Sequence, residues 1–93
     1  MKKFMIIHMG FEQPDEEAMK QWNAWFEKIG PFQLEQVGLM NGREINSEGQ
    51  RELGWDLESI TGYNIVEAES IEDATRLCEG NPFVTSIRVY ELR

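Results

Sequence analysis

Hydrophobic and polar positions in this chain fall into blocks whose period changes along its length. Lys3 to Met9 is apolar on both alternating faces up to His8, with Met5, Ile7 and Met9 on one side and Phe4, Ile6 and His8 on the other. The pattern predicts a strand covered on both sides. From Glu16 to Ile29 the period lengthens. Ala18, Met19, Trp22, Trp25, Phe26 and Ile29 fall within about 120° of a helical wheel, and Glu16, Lys20, Asn23, Glu27 and Lys28 take the rest. Asp15 stands in the N-cap position, Glu16 and Glu17 suit the positive end of the helix dipole, and Gly30-Pro31 supplies the stop. Trp22, Trp25 and Phe26 could form a ligand box, but an aromatic stripe at helical spacing reads as core.

The stretch from Thr61 to Phe83 reads without a gap as strand, capped helix, glycine stop and proline turn. Gly62 to Glu69 alternates, with Tyr63, Ile65 and Glu67 on one face and Asn64, Val66 and Ala68 on the other. Ser70 is placed as an N-cap with Asp73 three residues on, and Ile71, Ala74, Leu77 and Cys78 make the buried stripe of a second helix. Gly80 can adopt the left-handed conformation there, and Pro82 keeps Asn81 out of helical angles. Ile87 to Leu92 alternates as a last strand. The signal is weakest from Phe32 to Ile60. A strand is expected near Val37 to Ile45, bent at Asn41-Gly42, and Ser47 to Ile60 has no usable period around Trp55. Loops of that length in small domains are functional or mobile, so Trp55 either anchors the segment or lies over a pocket mouth.

The resulting order is β-α-β-β-α-β, within a single domain spanning residues 1–93. Right-handed crossovers would arrange it as an antiparallel sheet with both helices on one face, the ferredoxin-like α+β architecture. The most apolar choice for the helix-covered face is Met5, Ile7, Met9, Val66, Ala68, Ile87 and Val89. The opposite face then carries Phe4, Ile6, His8, Tyr63, Ile65, Glu67, Arg88, Tyr90 and Leu92. That set is too apolar for a bare surface and too polar for an ordinary core.

Composition narrows the function classes. A 93-residue chain buries only roughly 65% of its unfolded surface, so a pairing partner would help it. A formal charge of −8 argues against nucleic acid and anionic membrane surfaces, which select lysine and arginine fields. Met1-Lys2-Lys3 and the following apolar run are too short for a signal peptide, and no segment approaches a membrane span, so a cytoplasmic protein is expected. One cysteine and one histidine exclude an internal disulfide and a structural zinc site, Cys78 reads as a small core residue, and no metal or cofactor is expected.

Two sheets packed face to face would bury the apolar members of the open face and enclose the polar ones, leaving a pocket between sheets. Its candidate ligand contacts are His8, Tyr63, Arg88 and Tyr90, with Trp55 at the mouth. His8 and Glu67 are the candidate catalytic pair, because an imidazole exchanges protons near neutral pH and a carboxylate can orient it. The structural alternative has His8 closing a strand end and Glu67 pairing with Arg88 across the sheet.

The chain resembles the YCII-related family of small dimeric α+β-barrel proteins. The resemblance is carried by Met5-Ile6-Ile7-His8, Thr61-Gly62-Tyr63, Glu67-Ala68-Glu69-Ser70 with Ala74 after it, Asn81-Pro82-Phe83, and Val89-Tyr90-Glu91-Leu92. It covers most of the chain apart from about Ser47 to Ile60. It implies a homodimer joined through sheet faces. Some relatives are proposed to use a His–Asp pair with the histidine on the first helix. That helix has no histidine here, residue 81 is Asn where relatives often carry His or Asp, and the Asp-Gly-Pro-Phe motif of a sister group is missing. The expected function is binding of a small anionic or aromatic metabolite between the sheets of a homodimer. The alternatives are a lyase or isomerase using His8, and a structural or protein-interaction module.

Overall fold

A computed structural model of the chain describes residues 1–93 as an α+β fold. In chain order the elements are β1 (Lys2–Met9), α1 (Glu16–Ile29), β2 (Gln33–Gly38), β3 (Arg43–Asn46), β4 (Gly49–Glu52), β5 (Ile60–Ala68), α2 (Ile71–Leu77) and β6 (Ser86–Glu91). β2, β5, β1 and β6 form one sheet in that order, with every neighbouring pair antiparallel, and β3 and β4 form a separate hairpin. No helix is long and apolar enough to cross a membrane.

The caps form as the residue types require. Asp15 Oδ1 accepts from the Ala18 amide at 2.8 Å, and Ser70 Oγ accepts from the Asp73 amide at 3.2 Å. Both helices contribute to one core, in which Trp25, Ile29 and Ala74 meet Phe4, Ile6, Val66 and Ala68. Trp25 Nε1 donates to the Leu77 carbonyl at 2.9 Å, so the largest core side chain also satisfies an orphan carbonyl at the end of α2. The Lys28 ammonium reaches the Glu79 carbonyl at 2.7 Å and places a cation at the same helix end. Cys78 packs against the core, and burial raises its thiol pKa although Lys28 opposes the shift, so it stays a protonated packing residue. Met19, expected in the stripe, is exposed.

One expectation is inverted. Phe4, Ile6 and His8 are buried beneath the helices, and Met5, Ile7 and Met9 lie on the open face. Both faces of β1 are apolar, so alternation alone does not choose between them. Pairing does: Phe4 lies beside Val66 and Ile6 beside both Asn64 and Val89, and cross-strand partners share a face. The assignments of Val66, Ala68, Ile87 and Val89 to the helix side hold.

The region after α1 also departs from expectation. A single 3-10 turn, Gly30–Phe32, leads straight into β2, which therefore begins four residues early, at Gln33. Asn41 takes the left-handed conformation (φ 55°) and redirects the chain. Ile45 then falls in the hairpin, whose second strand occupies part of the segment expected as loop. Its turn is held by the Glu48 amide donating to Asn46 Oδ1 at 2.9 Å. Arg43–Glu52 and Arg51–Glu44 ion pairs cross it at 3.3 and 2.8 Å. Every hairpin residue is exposed, so no buried face imposed a period on its sequence.

The molecule is a flat slab of 41 × 37 × 18 Å, with one layer of helices on one layer of sheet. Its radius of gyration of 14.3 Å exceeds the about 12 Å expected for a compact chain of this length. Only 13 of 93 residues are buried, because one sheet face has no layer above it.

Candidate functional site

The register of the sheet creates a cleft beside His8. On the helix side, Ile87, His8, Gly62 and Gly38 follow one another across β6, β1, β5 and β2 as direct cross-strand partners. Two adjacent glycines leave the row without side chains just where Trp22 and Phe26 of α1 pass over it. A pocket of about 210 Å³ results, lined by His8, Trp22, Phe26, Gln36, Gly38 and Asn64 among others. No lysine, arginine or acidic side chain lines it. Gly62 is confined by β2, since a Cβ there would sit 2.7 Å from the Val37 carbonyl oxygen, whereas a Cβ on Gly38 would meet nothing within 4 Å.

The His8 ring is held on three sides. It is 9% exposed and meets Trp22 and Trp25 edge to face, both at 5.4 Å between centroids. Its Nε2 lies 2.5 Å from Asn64 Oδ1. Asn64, itself 1% exposed, donates through Nδ2 to Gln33 Oε1 at 2.7 Å, and Gln33 Nε2 donates to Gln36 Oε1 at 3.4 Å. An amide oxygen only accepts, so this direction of the chain puts the imidazole proton on Nε2. Nδ1 is then an unprotonated acceptor, and it is buried without a partner. Burial lowers the pKa of His8 below its ordinary value, outweighing the Asn64 hydrogen bond that raises it. The ring is neutral at pH 7, with a free lone pair.

The residues expected to share a site with His8 are on the other side of the sheet. Val37, Tyr63, Ile7 and Arg88 form one row of the open face, and Glu35, Ile65, Met5 and Tyr90 form the next. Glu67 is the cross-strand partner of Lys3. The sheet backbone thus separates the His8 ring from the Glu67 carboxylate and from the Arg88 side chain, so the paired acid–base arrangement has no geometric basis within one chain. Nor are Glu67 and Arg88 neighbours, because β1 runs between their strands. Tyr63 contributes to the lining of the His8 pocket while its row belongs to the open face.

Trp55 lies elsewhere. It packs on Phe11 with ring centroids 4.9 Å apart and planes tilted by 42°, and lines a pocket of about 710 Å³ at the base of the hairpin, together with Met40, Arg51, Leu53 and Asp56. It anchors the segment and does not border the His8 pocket. Asn64, Gln33, Gln36, Gly38 and Gly62 are site residues that sequence reasoning missed, and Trp22 and Phe26 it assigned to the core. A signal existed for Asn64, a polar residue alternating in step with Val66 and Ala68. No cluster of three or more His, Cys, Asp or Glu side chains is placed to hold a metal ion. No protein-family model matches the sequence, and no curated protein is significantly similar to it.

Proposed function

We propose that this chain is a YCII-related protein of ferredoxin-like fold that binds a small aromatic ligand between α1 and the sheet, and that it pairs with a second copy through its open sheet face. The observation that carries the binding reading is the pocket of about 210 Å³ that His8 and Asn64 line beside the Trp22 and Phe26 rings. A concave pocket walled by aromatic rings and a few polar groups suits a small flat ligand. The lining has no cation, which favours an aromatic ligand over an anionic one. The pocket belongs to one chain and lies under the helix, so pairing stabilises the domain without being needed to enclose the ligand.

The pairing reading rests on the open face, where the half-buried Met5, Ile7 and Met9 form an apolar band beside the buried Ile65, bordered by Tyr63 and Tyr90. A second sheet packed on it would form the dimeric barrel and supply the missing layer over a thin core. Tyr63, Glu67, Arg88 and Tyr90 would then act in the interface.

Gly38→Leu tests binding, because the new side chain enters open space in the pocket from a strand position that tolerates it. Titration of phenol followed by calorimetry should give saturable binding to the native protein and none to the variant, with the melting temperature retained. Undiminished binding to a folded variant would place the ligand elsewhere. For pairing, sedimentation velocity should find a dimer that Ile7→Lys converts to monomer. A native chain that stays monomeric at high concentration would sink that part.

A further inference from the structure

We infer that the pocket at the base of the hairpin is a second ligand site, one that takes a small organic cation. Trp55 and its apolar neighbours seat the body of the ligand, and Asp56 and Glu58 supply the counter-charge to its ammonium group. The site shares no residue with the His8 pocket and does not depend on the reading given to that one.

The segment from Leu53 to Ile60 has no hydrophobic period, and hydrogen bonds order it instead. The Asp56 amide donates to Ser59 Oγ at 2.9 Å, and Ser59 Oγ donates to the Gly54 carbonyl at 2.8 Å. The Phe11 amide donates to the Asp56 carbonyl at 2.8 Å, and the Phe11 ring packs on Trp55. Trp55 is thus held from one side while 53% of it stays exposed, against 2% for Trp25. An indole already held in place needs little further ordering when a ligand meets it. Met40, Leu53 and Ile60 line the same pocket and are also exposed. Its volume of about 710 Å³ lies within the about 300–1,000 Å³ of small-molecule sites.

Charge sets the ligand class. Glu44, Asp56 and Glu58 line the pocket against a single cation, Arg51, whose Nε lies 2.8 Å from Glu44 Oε1. The pKa of Arg51 is raised first by the hydrogen bond and charge of Glu44, and then by Asp56 and Glu58, so all three carboxylates act on the same space. Glu44 and Arg51 neutralise each other. Asp56 Oδ1 accepts from the Glu58 amide at 2.8 Å, which orders the turn and leaves the charge in place. The lining therefore keeps two negative charges beside an accessible indole, a combination that repels an anion and attracts a cation. No group of three or more acidic side chains is placed to hold a metal ion, so the cation that fits is an ammonium on an apolar body. The formal charge of −8 draws such a ligand in from solution.

Phenethylamine, 2-phenylethanol and phenylacetate differ chiefly in charge at neutral pH and serve as calorimetric probes. Phenethylamine should bind native protein and Gly38→Leu equally, because that variant fills only the His8 pocket. In Gly38→Leu, the amine should bind about threefold to thirtyfold more tightly than the alcohol, the combined worth of an exposed ion pair and an exposed cation–aromatic contact. Phenylacetate should bind more weakly than either, and the preference for the amine should shrink as salt is raised. Glu58→Gln should weaken amine binding and Arg51→Gln strengthen it, with the alcohol unaffected by both, and Trp55→Leu should weaken amine and alcohol together. Equal affinity for amine and alcohol in Gly38→Leu would overturn the charge selectivity. Absence of saturable amine binding would overturn the site itself. Amine binding that Gly38→Leu removes would place the cation in the His8 pocket and refute a second site. Should Gly38→Leu or Trp55→Leu fail to fold, the two charge variants made in native protein still decide, since an amine affinity that neither changes would refute the assignment.

Discussion

Replacing Gly10 by alanine probes the junction that fixes the end of the His8 strand. Gly10 has φ +99°, a conformation that costs an L-residue about 1–2 kcal/mol. The added Cβ would also lie 2.8 Å from the Thr85 amide nitrogen, so the obstruction is backbone that cannot rotate away. Relief requires the two segments to separate. That movement strains the Gly10 amide bond to the Ser59 carbonyl (2.7 Å) and the Thr85 amide bond to the Met9 carbonyl (3.2 Å), each worth about 1 kcal/mol net. The expected loss is about 2–4 kcal/mol, from a total on the order of 5–15 kcal/mol for a domain of this size. Gly80→Ala is the control. Gly80 has φ +85°, but its Cβ would meet nothing within 4 Å, so it should lose only the conformational part, about 1–2 kcal/mol. Urea unfolding followed by tryptophan fluorescence, at one fixed protein concentration, measures both. Equal losses in the two variants would refute the argument that the Thr85 backbone closes the space around Gly10.

Two further outcomes follow from the core and its histidine. Because His8 has a lower pKa folded than unfolded, the unfolded chain binds more protons between the two values. Its contribution to stability is therefore complete above about pH 6.5 and is lost as pH falls, by at most about 1.4 kcal/mol per pH unit, until the folded-state pKa is passed. The difference in unfolding free energy between native protein and His8→Phe should change over that interval, and a constant difference would contradict it. Trp25→Phe removes the bond to the Leu77 carbonyl and leaves a void between α1 and α2, and should cost about 1–3 kcal/mol by the same urea assay.

The helices were legible because their signals are local. Asp15, the Trp22–Trp25–Phe26–Ile29 stripe and the Gly30-Pro31 stop are all consequences of one helix's own geometry, and α1 spans the residues they mark. The inward face of β1 was not legible, because Met5, Ile7 and Met9 are as apolar as Phe4 and Ile6, and only the register with β5 and β6 distinguishes them. The hairpin was hidden for the opposite reason. With both faces wet, β3 and β4 are stabilised by cross-strand charge pairs that leave no hydrophobic period.

The candidate pocket was half legible, and the missing half explains why His8 was grouped with residues of the opposite sheet face. His8 stood out as the single imidazole, whereas Trp22 and Phe26 read as core and not as ligand contacts. Gly38 and Gly62 carry no chemistry that a motif could report, and they lie 24 residues apart in the chain. Antiparallel pairing makes them adjacent to each other and places Gly62 beside His8, so that an absence of side chains becomes the cavity. Asn64 then has two demands on it from one position. It must continue the helix-facing row below Val66 and present an amide oxygen to the imidazole, and its burial is tolerated because both ends of the amide are bonded. An apolar residue in its place would pack as well and leave His8 free in both tautomers. Under the proposed reading, Asn64 serves the recognition site as well as the core.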